Sequence, residues 1–142
     1  MTDKTDKIFL DTNLWVYLFS DEIKKRECIT RLIGKNFNNI CLSAQVLSEL
    51  YNVLTRKKVA DPEKARKIIH RVAGEFQVSV IDKEVVKQAV DLNLSYHYSY
   101  WDSLIIAAAL EVNCNVLYTE DFQHNQVVDK KIRIINPFKE TT

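Results

Sequence analysis

Ile8-Phe9-Leu10-Asp11-Thr12-Asn13 is the stretch from which the rest of the chain can be read. Three consecutive apolar residues bounded by polar ones are too few for a helix and fit a buried strand. Its C-terminal end then carries Asp11. The same kind of short run returns at Ile40-Cys41-Leu42, Val78-Ser79-Val80-Ile81, Val116-Leu117-Tyr118 and Ile132 to Ile135. Between these runs, apolar residues recur at helical spacing. Leu14 to Phe19 turns toward a helix, and Ile23 to Ile33 is amphipathic with Gly34 as its expected stop. Ser43 can cap a helix carrying Val46, Leu47, Leu50, Tyr51 and Leu54, with Gln45, Glu49, Asn52 and Arg56 in a polar stripe beside them. Asp61-Pro62 joins an N-cap to a proline at the first helical position, ahead of Ala65, Ile68, Ile69, Val72 and Ala73, with Gly74 as the expected end. Asp82 caps a helix carrying Val85, Val86, Ala89 and Val90. Ser99 opens another, whose nearly continuous Leu104, Ile105, Ala107 and Ala108 suggest a helix packed between neighbours.

Short apolar strands alternating with amphipathic helices predict an α/β chain with a mostly parallel sheet covered by helices on both faces. Ligands of such sheets bind beyond the carboxyl ends of the strands, where the strand order reverses. Asp11 and Asp121 lie at strand ends of this kind, and Glu49 sits near the start of the helix after the second strand. Asp102 joins them only if the Leu94 to Tyr98 connection brings its helix back to that edge.

The 142 residues fit one domain, 1–142, with 46% hydrophobic and 27% charged residues, ordinary values for a folded chain. Twenty Lys plus Arg against nineteen Asp plus Glu leave a net charge of +1, so any basic footprint for nucleic acid must be local. Lys24-Lys25-Arg26, Arg56-Lys57-Lys58 and the group Lys64, Arg66, Lys67 and Arg71 are candidates, although such runs are usually solvated helix faces. Cys28, Cys41 and Cys114 are odd in number and far apart, against a disulfide framework or a thiolate zinc site. The opening MTDKTDK lacks the order of a signal peptide, and no apolar stretch reaches membrane-spanning length. No membrane partner and a cytoplasmic location are expected.

Several carboxylates held together repel one another, and a divalent cation removes that penalty. All-oxygen ligands select hard ions such as Mg²⁺ or Mn²⁺. One or two such ions, about 3.5 to 4 Å apart if paired, suit hydrolysis of a phosphodiester.

Asp11-Thr12-Asn13 after the first strand, Glu49 in Gln45-Val46-Leu47-Ser48-Glu49, Ser99-Tyr100-Trp101-Asp102 and Thr119-Glu120-Asp121 together resemble the PIN-domain family over nearly the whole chain. The resemblance implies a three-layer α/β/α fold with a five-stranded parallel sheet. It also implies an endoribonuclease that hydrolyses RNA with Mg²⁺ or Mn²⁺. Asp11, Glu49, Asp102 and Asp121 would be the catalytic metal ligands, with Thr12, Asn13, Ser99 and Thr119 as supporting groups. Many members of this length are toxins of VapC-type toxin-antitoxin pairs, inhibited by a cognate antitoxin and often homodimeric. At the fourth acid, Glu120 and Asp121 are adjacent and successive side chains point opposite ways. Asp121 matches the family spacing from Thr119, and Glu120 is the fallback.

Each acid has a plainer explanation on its own. Asp11 could begin an Asx-turn, Glu49 could pair with Arg56, Asp102 could complete a capping box with Ser99, and Asp121 could be a turn residue. The aromatic group Tyr96, Tyr98, Tyr100 and Trp101 can stack on bases or simply pack, and packing is favoured. His70, His97 and His124 read as structural or exposed. Two other function classes remain: a non-catalytic RNA-binding or protein-interaction module on the same fold, and a metal-dependent phosphatase. The second is weakened because Asp11-Thr12-Asn13 lacks a second acid.

Overall fold

The computed structural model describes residues 6–139. Strands β1 (Ile8–Leu10), β2 (Ile40–Ser43), β3 (Gln77–Ser79), β4 (Val116–Tyr118), β5 (Val127–Val128) and β6 (Ile132–Ile135) form one sheet in the order β3-β2-β1-β4-β6-β5. All neighbouring pairs are parallel except β5 with β6. The sheet therefore has six strands where five were expected. The added strand is a two-residue edge with only Val128 buried, too short to show a period-two pattern.

Every residue of β1, β2 and β4 is buried. Because successive side chains alternate faces, helices must cover both sides of the sheet, which makes the fold the expected three-layer arrangement. From β1 the chain steps outward to β2 and β3, then returns to the other side of β1 as β4. The strand order thus reverses between β1 and β4, and that crevice is where such sheets place ligands.

Six helices connect the strands: α1 (Thr12–Leu18), α2 (Ile23–Lys35), α3 (Ala44–Arg56), α4 (Pro62–Glu75), α5 (Lys83–Tyr96) and α6 (Tyr100–Glu111). Except for α2, their starts are set locally by side-chain caps. Ser43 Oγ accepts from Val46 N–H at 3.2 Å, Asp61 Oδ1 from Lys64 N–H at 2.8 Å, Asp82 Oδ1 from Val85 N–H at 3.1 Å and Ser99 Oγ from Asp102 N–H at 3.1 Å. Each such cap is worth about 1 kcal/mol. The expected glycine stops do not hold. α2 runs through Gly34 to Lys35 and α4 through Gly74 to Glu75, since a glycine inside a helix costs only about 1 kcal/mol.

Trp15 anchors the junction of β1 and α1. It is fully buried, its indole N–H donates to Leu10 O at 3.1 Å, and its ring meets Phe76 edge-on at 5.1 Å. Truncation to alanine would cost about 3–5 kcal/mol. Residues Ser103 to Leu110 of α6 are all buried, and this helix packs against α5 and β2. α5 is different. Its core face is Val85, Ala89 and Leu92, while Val86, Val90 and Leu94 remain exposed, so the apolar stripe read from the sequence is wider than the core it meets.

α5 ends at His97, which takes the left-handed conformation with φ 63°. The chain reverses there, and α6 folds back along α5. That reversal returns the first turn of α6 to the carboxyl edge. No helix among the described residues is long and apolar enough to cross a membrane.

Candidate active site

Asp11 leaves the C-terminal end of β1 and caps α1, its Oδ1 accepting from Thr12 N–H at 2.7 Å. Its Oδ2 accepts from the Thr119 hydroxyl at 2.8 Å, which ties the end of β1 to the end of β4. The Asp11 side chain is buried, so ionisation is unfavourable. Burial raises its pKa from 3.8 to about 6, the hydrogen bonds from Thr119 and Thr12 oppose the rise, and the charges of Asp121 and Glu49 add to it.

The other three acids stand around it. Glu49, on the second turn of α3, has its pKa raised first by desolvation of its carboxyl end and then by the charge of Asp102, with Gln45 and Thr12 opposing. Asp121 is raised by desolvation, then by Glu120 and Asp102, with Asn13 opposing. These influences close a ring: Asp11 to Asp121, Asp121 to Asp102, Asp102 to Glu49, and Glu49 to Asp11. Four separate elements supply its members. α3 and α6 are also joined directly, by Gln45 Nε2 donating to Trp101 O at 3.4 Å. The return of Asp102 to this edge, conditional in the sequence, is what the reversal at His97 accomplishes.

Adjacent Glu120 and Asp121 part company. Asp121 N–H donates to Thr119 Oγ1 at 3.1 Å, and Asn13 Nδ2 donates to Asp121 Oδ2 at 3.0 Å, which holds Asp121 beside the ring. Glu120 turns to α1 and α2, accepting a hydrogen bond from the Tyr17 hydroxyl and pairing with Lys25 Nζ at 3.4 Å. Sequence reading missed Tyr17 and Lys25, because no local pattern links residues separated by about a hundred positions. The expected rival for Glu49, a pair with Arg56, does not form among the described residues. His124 Nδ1 accepts from Asn136 N–H at 3.0 Å, a structural role.

The donor set suits a hard divalent cation: four carboxylates, with the buried Gln45 Oε1 lacking a hydrogen-bond partner beside them. Among the described residues, no three His, Cys, Asp or Glu side chains are gathered closely enough to hold a metal ion together. A surface hollow of about 410 Å³ lies elsewhere, between Tyr51 of α3 and Ile69 and His70 of α4, and none of the four acids lines it.

Residues 8–130, spanning all four acids, match the sequence profile of the PIN domain. The chain belongs to the PIN-domain family. Solved structures share the PIN fold at low identity. A toxin-antitoxin complex from Klebsiella pneumoniae superposes with TM-score 0.70 at 16% identity, over 92% of this chain and 98% of that one. DNA-bound VapBC from Salmonella typhimurium gives 0.69 at 20% identity, over 92% and 97%. VapC20 of Mycobacterium tuberculosis, described as a toxin that cleaves the sarcin-ricin loop, gives 0.67 at 20% identity, over 81% and 90%. At these identities the likeness is one of fold. No curated protein matches this PIN domain at a significant level.

Proposed function

We propose that this chain, a single PIN domain assigned to 1–142, is a metal-dependent endoribonuclease that hydrolyses RNA phosphodiester bonds, and that it is the toxin of a VapC-type toxin-antitoxin pair. The observation that carries the reading is the ring of four carboxylates at the crevice where the strand order reverses. Asp11, Glu49, Asp102 and Asp121 would hold one or two Mg²⁺ or Mn²⁺ ions. When bound, such a cation supplies charge neutralisation for the phosphodiester and acidifies water at neutral pH.

The chain's own groups prepare that site. Thr119 and the Thr12 amide fix both oxygens of Asp11, so its rotamer does not change on binding. Asn13 and Thr119 orient Asp121, and Ser99 fixes the first turn of α6 from which Asp102 projects. The Thr12 hydroxyl lies beside Glu49, where it helps to hold that carboxylate. Trp101 is 65% exposed beside Asp102 and stacks edge-on against Tyr100 at 5.2 Å, which leaves a face for an unpaired base. Tyr96 and Tyr98 instead stack on each other at 5.7 Å and pack on the core.

A cognate antitoxin, which inhibits the enzyme, and a second copy of the chain are the proposed protein partners. The exposed Val86, Val90 and Leu94 stripe on α5 supports the homodimer. With RNA as substrate, the site of action is the cytoplasm.

The test is cleavage of single-stranded and structured RNA with Mn²⁺ or Mg²⁺, with and without chelator, for wild type and Asp11→Asn. Cleavage that needs the metal and disappears in Asp11→Asn is the expected result. Metal-dependent cleavage surviving that substitution would refute the role of Asp11. Failure to bind Mn²⁺ or cut any RNA would leave the interaction module, and turnover of a phosphomonoester alone would point to a phosphatase.

A further inference from the structure

Beyond the four acids, one closed polar network touches the same loop. The Tyr17 hydroxyl donates to Glu120 Oε1, Lys25 Nζ lies 3.1 Å from the Tyr17 hydroxyl, and the same ammonium pairs with Glu120 Oε2 at 3.4 Å. Aromatic faces enclose this ammonium, which sits 4.5 Å from the centre of the Tyr17 ring and 5.0 Å from that of Phe138. The two rings meet edge-on at 5.5 Å. Three elements are thereby bolted together: α1 through Tyr17, α2 through Lys25, and the bend after β4 through Glu120. This differs from an exposed ion pair, because each member holds the other two and cation–π contacts confine the lysine.

The geometric consequence falls on Asp121. Glu120 and Asp121 are adjacent carboxylates in the bend after β4, either able to swing toward the crevice. Gripping Glu120 at Tyr17 and Lys25 keeps it away from the crevice and leaves Asp121 to Asn13, in the first turn of α1, and to Thr119. Lys25 also neutralises a fifth negative charge at the margin of an already acidic cluster. We propose that Tyr17 and Lys25 are positioning residues for RNA cleavage, acting through Glu120 to hold Asp121 in the crevice. The inference rests on the reading of Asp121 as a metal ligand.

The experiment uses the full chain, Mn²⁺ titrated by calorimetry, kcat and KM on a labelled single-stranded RNA of mixed sequence, and thermal unfolding in chelator. Glu120→Ala should weaken Mn²⁺ binding and lower kcat by about 10-fold or more each, the range for groups that orient metal ligands, with KM changed less than about 2-fold. Glu120→Gln keeps an acceptor for the Tyr17 hydroxyl and should recover most of both losses. Wild-type Mn²⁺ affinity in Glu120→Ala and Tyr17→Phe would overturn the proposal, as would a Gln variant no better than Ala, since that pattern marks Glu120 itself as a ligand. If Glu120→Ala unfolds, Tyr17→Phe decides, because it deletes one oxygen and leaves the packing. Asp121→Asn separates the two readings: wild-type Mn²⁺ affinity there would remove Asp121 from the metal site, whereas loss there with no effect at Tyr17 or Glu120 would remove only the positioning role.

Discussion

The Thr119 hydroxyl donates to Oδ2 of Asp11 across 2.8 Å, a bond that spans the point where the sheet changes direction. Thr119 Oγ1 in turn accepts from the Asp121 amide at 3.1 Å, so one buried side chain is bonded to two of the four acids. Thr119→Val keeps the shape and removes both bonds. A loss of about 1–3 kcal/mol is expected, because the Asp121 amide and the Asp11 carboxylate each lose a partner. Unfolding temperature should fall by about 3–8 °C and RNA cleavage by about 10-fold or more. Thr119→Ser should restore both, and a valine variant matching wild type in both assays would show that the bond is idle.

Asp11 sets a pH dependence of stability in the metal-free protein. Its folded pKa of about 6 lies above the ordinary 3.8, so the folded state holds the proton more tightly than the unfolded state. Stability contributed by the protonated acid is present at about pH 4 and declines as pH rises through about 6. Asp11→Asn cannot ionise. Chemical denaturation in chelator at pH 7.5 should find it more stable than wild type by about 2–3 kcal/mol, with the slope between pH 4 and 6 diminished. An unchanged slope would mean that another group carries it.

Metal and protons compete for that carboxylate. Saturating Mn²⁺, at about 100 times its dissociation constant, should raise stability by about 2.7 kcal/mol and the unfolding temperature by about 5–10 °C. As pH falls below about 6, where Asp11 takes up its proton, the affinity for Mn²⁺ should drop steadily. Calorimetry between pH 5 and 7.5 reads this directly, and a flat profile would exclude Asp11 from the ligand set.

Trp101 offers an exposed ring next to Asp102. Trp101→Ala should raise KM for single-stranded RNA by about 5- to 100-fold, the loss of one stacked base, with unfolding temperature nearly unchanged. A lowered unfolding temperature with normal KM would assign the ring to packing.

The uncovered stripe on α5 predicts self-association. Leu94 is 70% exposed, and Val90 lies one helical turn away on the same face. Light scattering should find a dimer for wild type and a monomer for Val90→Lys with Leu94→Lys, with both folded. A double variant that remains dimeric would move the interface elsewhere.

What the sequence alone determined is local in origin. Ser43, Asp61, Asp82 and Ser99 cap the helices assigned to them because a cap needs only a side chain and an amide a few residues on. The buried strands at Ile8, Ile40, Val116 and Ile132 were legible from runs of apolar residues, and Asp11 from its place at the end of the first of them. Only the tertiary structure decided the rest. The bonds of Glu120 to Tyr17 and Lys25 and of Asp121 to Asn13 join residues from distant parts of the chain, and the return of Asp102 depends on a left-handed turn at His97 that no local motif announces. The burial that raises the Asp11 pKa comes from neighbours far along the chain. Periodicity reports which face of an element is apolar, but not how much of that face finds a partner, and so Val86 and Val90 looked like core and stand in solvent.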